Sequence, residues 1–189
     1  IGALTTKAIE GYAAQEQLVG GVETLFKTSS DTVVGYANDA YKTAGMSANE
    51  YMETVTSFSA SLLASMNNDT AAAAEKANVA ITDMSDNANK MGTDISLIQN
   101  AYNGFAKQNY TMLDNLKLGY GGTQEEMQRL LDDASKLSGI KYDISSYSDV
   151  VDAIHVVQTE MGITGTTAKE ASTTIEGSVS SMSSAWDNW

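Results

Sequence analysis

Between Ala77 and Leu116 the chain keeps a seven-residue rhythm that few folds can accommodate. Ala77, Ile81, Met84, Ala88, Met91, Ile95, Ile98, Tyr102, Phe105, Met112 and Leu116 follow one another at alternating spacings of four and three, with Asn109 as the polar member of the series. A repeat of that period puts its apolar members on one side of an α-helix and calls for a neighbouring helix, packed as in a coiled coil. Strand signals are nearly absent, and the 189 residues include no proline, where average usage would give about nine. Long stretches can therefore be helical without a fixed kink. The expected fold is all-α, a multi-helix antiparallel stack or bundle with short Gly/Asn-containing connections and a coiled-coil-like seam at 77–116.

Local start and stop signals divide that helical potential into pieces. Ser47 followed by Glu50 reads as a capping box, ahead of an apolar stripe through Tyr51, Val55, Phe58, Leu62 and Met66. Asn67-Asn68-Asp69 interrupts the stripe, and Asp69 can cap a helix over 71–91, which predicts an antiparallel hairpin. Gly92-Thr93-Asp94 reads as a helix end followed by a new N-cap; a break there is preferred to one continuous helix. Leu118-Gly119-Tyr120-Gly121-Gly122 reads as a flexible hinge. Thr123 with Glu126 forms a second capping box, for a helix carrying Met127, Leu130, Leu131, Ala134 and Leu137 that closes at Ser138-Gly139. An irregular stretch from Ile140 to Tyr147 leads to a helix bearing Val150, Val151, Ile154, Val157 and Met161, ended by Gly162 and Gly165. Thr166 or Thr167 then caps a thin final helix whose stripe is Ala168, Ala171, Ile175, Val179, Met182 and Trp186. Three regions follow: a helical stack at 1–118, a compact helical hairpin at 119–165, and a terminal helix at 166–189. The helical pattern runs to both ends, so the sequence reads as a piece of a longer polypeptide.

Composition narrows the chemistry. The net charge is −13, from 24 acidic and 11 basic side chains, and no run of Lys or Arg is present to follow a phosphate backbone, so sequence-specific nucleic-acid binding is not expected. The absence of cysteine removes disulfides and thiolate ligands. No apolar run approaches the roughly 18 residues of a membrane span.

Candidate catalytic and ligand-binding motifs each have a simpler reading. His155, the single histidine, sits beside Ile154 at the edge of an apolar helical face, which favours packing or boundary solvation over catalysis. The run from Asp83 to Lys90 resembles a calcium loop, but Ala88 stands where that loop needs glycine and Asp94 where it needs glutamate, so the run reads as the solvated face of a helix. The glycines at 119–122 lack the strand and the Gly-Lys-Ser/Thr of a phosphate cradle. Glu125-Glu126 and Asp132-Asp133 supply acids that a glycan hydrolase would need, yet on an amphipathic helix they form its wet side. No catalytic residue, metal ligand or cofactor site is assigned, and the protein is not expected to be an enzyme.

Four stretches resemble the core region of phage tail tape-measure (minor tail) proteins: 17–27 (QLVGGVETLFK), 40–52 (AYKTAGMSANEYM), 109–123 (NYTMLDNLKLGYGGT) and 156–171 (VVQTEMGITGTTAKEA). They occur in the family's order and span most of the chain. The resemblance implies a structural protein of the virion that occupies the tail-tube lumen, templates tail length during assembly in the bacterial host cytoplasm, and accompanies genome delivery. It further implies homo-oligomerisation and contacts with tail-tube and tail-tip proteins. A continuous helix of this length would reach roughly 280 Å, but the cap and glycine signals cut it into short pieces, so this segment is expected to fold back on itself and not to act as the ruler. Two rivals remain: a tail-associated cell-wall hydrolase module, and a chemoreceptor-like helical signalling bundle, which would require the repeat to continue across Gly119–Gly122.

Overall fold

The computed structural model describes residues 2–173, and over that range the fold is all-α. Its helices are α1 (Gly2–Phe26), α2 (Ser30–Thr43), α3 (Ala48–Ser65), α4 (Thr70–Met91), α5 (Ile95–Ala106), α6 (Gln124–Ser138), α7 (Tyr147–Glu160) and α8 (Thr166–Thr173). Single 3-10 turns lie at Lys27–Ser29 and Leu113–Leu116.

The local signals explain most of these boundaries. Ser47 and Glu50 form a reciprocal capping box at the start of α3. Asp69 accepts the Ala72 N–H at the start of α4, and Asp94 accepts that of Ser96 at the start of α5. Gly92 and Gly139 close α4 and α6 in the left-handed region, with φ of 72° and 75°, a conformation that costs glycine little. The second capping box is only half formed. Thr123 accepts the Glu126 N–H, but the Glu126 carboxylate reaches past it to the Gly121 N–H and to Arg129.

Helix α4 is the central post, in contact with α1, α2, α3, α5, α7 and α8. Small side chains make that crowding possible: Ala73, Ala74, Ala77 and Ala80 are fully buried and let neighbouring backbones approach. Larger groups fill the space around it. Phe26, Tyr51, Phe58, Leu62, Ile98, Tyr102 and Phe105 belong to one continuous apolar core that extends through Leu130, Leu131, Val150 and Ile154 of the α6–α7 hairpin. Burying each such side chain contributes roughly 1.5–3 kcal/mol. The Phe58 and Tyr147 rings meet edge to face at 6.4 Å, and the Tyr147 hydroxyl donates to the Tyr102 carbonyl at 3.1 Å, tying α3, α5 and α7 together.

The seam at 77–116 is divided among three elements. Ala77, Ile81 and Met84 are buried from α4, Ile98, Tyr102 and Phe105 from α5, and Leu116 from the 3-10 turn. Ala88, Met91, Ile95 and Met112 are partly buried against the same core, whereas Asn109 is exposed. The break at Gly92 is present, and the α-helix does not continue past Ala106. Gln108 takes a positive φ of 57°, and the Asn109 carbonyl comes so close to Gly104 that a Cβ there would lie 2.9 Å from it. The stripe therefore packs within its own chain, against α3 and α7.

The hinge expected at 119–122 is instead a pinned loop. Arg129 stacks over the Tyr120 ring at 4.2 Å and donates to the Gly119 carbonyl at 2.7 Å, and the Tyr120 hydroxyl donates to Asp133 at 2.7 Å. Gly122 is pressed against the Thr111 backbone: a Cβ there would lie 2.1 Å from the Thr111 carbonyl oxygen. Glycine serves close approach at this position.

Two of the thin stripes also differ from expectation. Leu137 and Met161, at the ends of their helices, are exposed. Of the final stripe, Ala168 is exposed and Ala171 half-buried; Ile175, Val179, Met182 and Trp186 lie outside the described residues. At the other end, residues 5–17 of α1 are exposed along their whole length, and packing of that helix begins near Leu18.

Candidate functional site

Four of the five residues from Asp83 to Asn87 are polar, and all four are buried, which overturns their reading as a solvated face. Asp86 and Asn87 are fully buried, Asp83 is 1% exposed and Ser85 6%. Consecutive residues of a helix point about 100° apart, so a run of this length has a dry side and a wet side only if part of the helix meets water. Over these five residues α4 is covered, with α7, α8, α5 and the 3-10 turn at Leu113–Leu116 packed against the helix. Desolvated polar groups of this kind require partners, and here those come from distant elements.

Asp83 faces α7. Both of its carboxylate oxygens lie 3.0 Å from His155 Nδ1, and Gln158 Nε2 donates to its carbonyl at 3.2 Å. Burial raises the Asp83 carboxyl above its ordinary range, against the opposing pull of the imidazole. The hydrogen bond to that carboxylate raises His155 in turn, against its own partial burial. A few residues along, Lys76 spans the same helix pair, donating to Asp152 at 2.6 Å and to Ser148 at 2.9 Å.

Asn87 continues the network. Its amide donates to Gln158 Oε1 at 2.7 Å and to the Leu116 carbonyl at 2.9 Å, joining α4 to α7 and to the 3-10 turn. Asp86 faces the third neighbour: one carboxylate oxygen accepts the Gly165 N–H at 2.8 Å and the other the Thr167 N–H at 2.9 Å. The cap of α8 is thus supplied from some 80 residues away. Neither Thr166 nor Thr167 caps the helix through its own hydroxyl; Thr166 Oγ1 donates back to the Ile163 carbonyl, and Thr167 Oγ1 has no partner. Gly162 and Gly165, with φ of 72° and 87°, turn the chain into this position.

The acids considered for glycan hydrolysis are placed on the outer side of α6. Glu126 and Asp133 flank Arg129, which holds Glu126 below the usual carboxylate range, and the Tyr120 hydroxyl does the same for Asp133. Among the described residues no group of three His, Cys, Asp or Glu side chains gathers as a metal site, and no helix is long and apolar enough to cross a membrane. A concavity of about 750 Å³ opens on another side of α4, between α3, α5 and α8.

No protein-family model, curated protein or solved structure matches this chain. The buried α4 network is therefore interpreted on its own geometry. It joins elements, with His155, Gln158, Gly165 and Thr167 as its far ends. His155 was visible in the sequence as a polar residue at the edge of an apolar face; Gln158 was not singled out, and the partners of both on α4, more than 70 residues away, were not legible.

Proposed function

We propose that this chain is a folded, non-catalytic segment of a phage tail tape-measure protein, with a mechanical role in tail assembly and genome delivery. The observation that carries the mechanical part is the use of the α4 polar run. Asp83, Asp86 and Asn87 each fasten a different element to the central helix, and none of the three is exposed to a substrate. The resemblance of the four sequence stretches carries the assignment to tail proteins.

In this reading the segment is a body carried along the tape measure and contributes little to its length. The seam at 77–116 is occupied within the chain, so contacts with other copies, or with tube and tip proteins, belong to other surfaces. The exposed first half of α1, which carries Ile9 and Tyr12, is the first place to look. The test is peptide mass spectrometry of purified tails and of particles emptied of DNA. Peptides of this segment are expected in intact tails and depleted after ejection; their absence from intact tails would refute the assignment.

A further inference from the structure

We propose that residues 174–189 of this chain pack against the exposed first half of α1. This inference stands apart from the tail assignment. Residues 5–17 of α1 are exposed along their length, and an unsupported helix of about a dozen residues is marginal in water. Successive helical residues turn by about 100°, so Tyr12 continues the side of α1 that carries Val19, Val22 and Phe26 toward the core, with Ile9 at its margin. Ile9 is 69% exposed and Tyr12 65%, more than any other large apolar side chain among the described residues. The apolar side of α1 thus runs on past the body that covers its second half.

The packing fixes where that overhang points. Gly21 lies against Thr56, and Ser29, three residues after α1, bonds to Thr70 at the start of α4, so α1 and α3 run side by side in the same direction. Counted back from Gly21, the residues before about 13 reach beyond Ala48, where α3 starts. Helix α4 returns antiparallel to α3 through the turn at 66–69, which brings its Met91 end to the same place. Helix α8 runs parallel to α4, because Asp86 holds Thr167 and Asn89 holds Glu170. It therefore delivers Thr173 to the end of the body from which α1 projects. Helix α2 packs against both α1 and α8 and stops there, at Thr43.

The residues that follow have the complementary pattern. Ile175, Val179, Met182 and Trp186 are spaced by four, three and four, which gathers them on one side of a helix. As a helix, residues 174–189 would reach about 24 Å, and residues 5–17 of α1 span about 20 Å. The two stretches would run antiparallel, apolar side to apolar side. The opposite side of α1, with Lys7, Glu10 and Ala14, stays open to other proteins.

Both tryptophans of the chain, Trp186 and Trp189, lie in this segment, so indole emission reports on it alone. The experiment follows emission and acrylamide quenching of the full chain over a wide range of concentration, with Trp189→Phe to isolate Trp186. A blue-shifted, sheltered Trp186 is expected at every concentration. Ile9→Ser combined with Tyr12→Ser changes two exposed positions and is expected to shift the emission to that of free indole and raise quenching severalfold, while amide-exchange protection of α3 and α4 is unchanged. Val179→Asp, from the other side of the contact, should do the same and remove protection from residues 5–17. Emission of exposed indole in the wild-type chain, or a sheltered Trp186 that ignores the α1 substitutions, would overturn the proposal. So would sheltering that appears only as the mass doubles, which assigns the face to a second copy.

Discussion

Between about pH 5.5 and 9, His155 is the side chain expected to titrate, since the sequence has one histidine and no cysteine. Its hydrogen bond to the Asp83 carboxylate raises its pKa in the folded protein, so the folded state holds that proton more tightly than the unfolded one. The resulting stabilisation is complete below the unfolded value of about 6.5 and is lost as pH rises through the higher folded value. Asp83 is itself raised by burial, which has the same sign and adds no opposing slope in this window. A hydrogen bond to a charged group is worth about 1.5–3 kcal/mol when sheltered. The His155 side chain is 38% exposed, and solvent screening reduces that to about 1 kcal/mol. For a domain of this size, that corresponds to a melting temperature roughly 3 °C lower at pH 9 than at pH 6. The assay is thermal unfolding followed by circular dichroism in matched ionic strength, for the wild type and for His155→Gln. The variant should be nearly flat with pH. A wild-type curve that rises with pH, or a variant that keeps the wild-type slope, would refute the Asp83–His155 assignment.

Asp86→Asn removes one of the two acceptors that hold α8 and turns an N–H toward an N–H. Amide exchange over 165–173 should accelerate by at least about tenfold, for a local loss of about 1.5–3 kcal/mol, while protection in α3 and α5 is unchanged. Gly122→Ala places a methyl 2.1 Å from the Thr111 carbonyl oxygen, and chemical denaturation should record a loss of about 3 kcal/mol. Ser47→Ala breaks the capping box of α3 and should cost about 1 kcal/mol by the same measurement.

What could be read from the sequence was what is decided within four residues. Ser47, Asp69, Asp94, Thr123 and Gly139 each act on a backbone group nearby, so their roles survive any tertiary arrangement. The seam residues were legible as buried for the same local reason, although the path of the chain after Ala106 was not: Gly104 and Gln108 redirect it through a close backbone approach that periodicity does not register. The α4 polar run was misread because a helical pattern assigns polar residues to water, and only the packing of distant elements over 83–87 reverses that assignment. Asp86 is the extreme case, as a cap whose helix begins some 80 residues later.

Helix α8 has no buried residue and is held by Asp86 at its first turn and by the Asn89–Glu170 hydrogen bond farther along. Tension entering at residue 173 would load those attachments one after another, as in peeling, and the Asp86 pair would be the last to give. Helix α4, gripped along its length by six neighbours, would carry the same load across many contacts at once. The chain thus has a graded mechanical order built into it: α8, the last of the described helices, is expected to detach under load before the body it packs against unfolds.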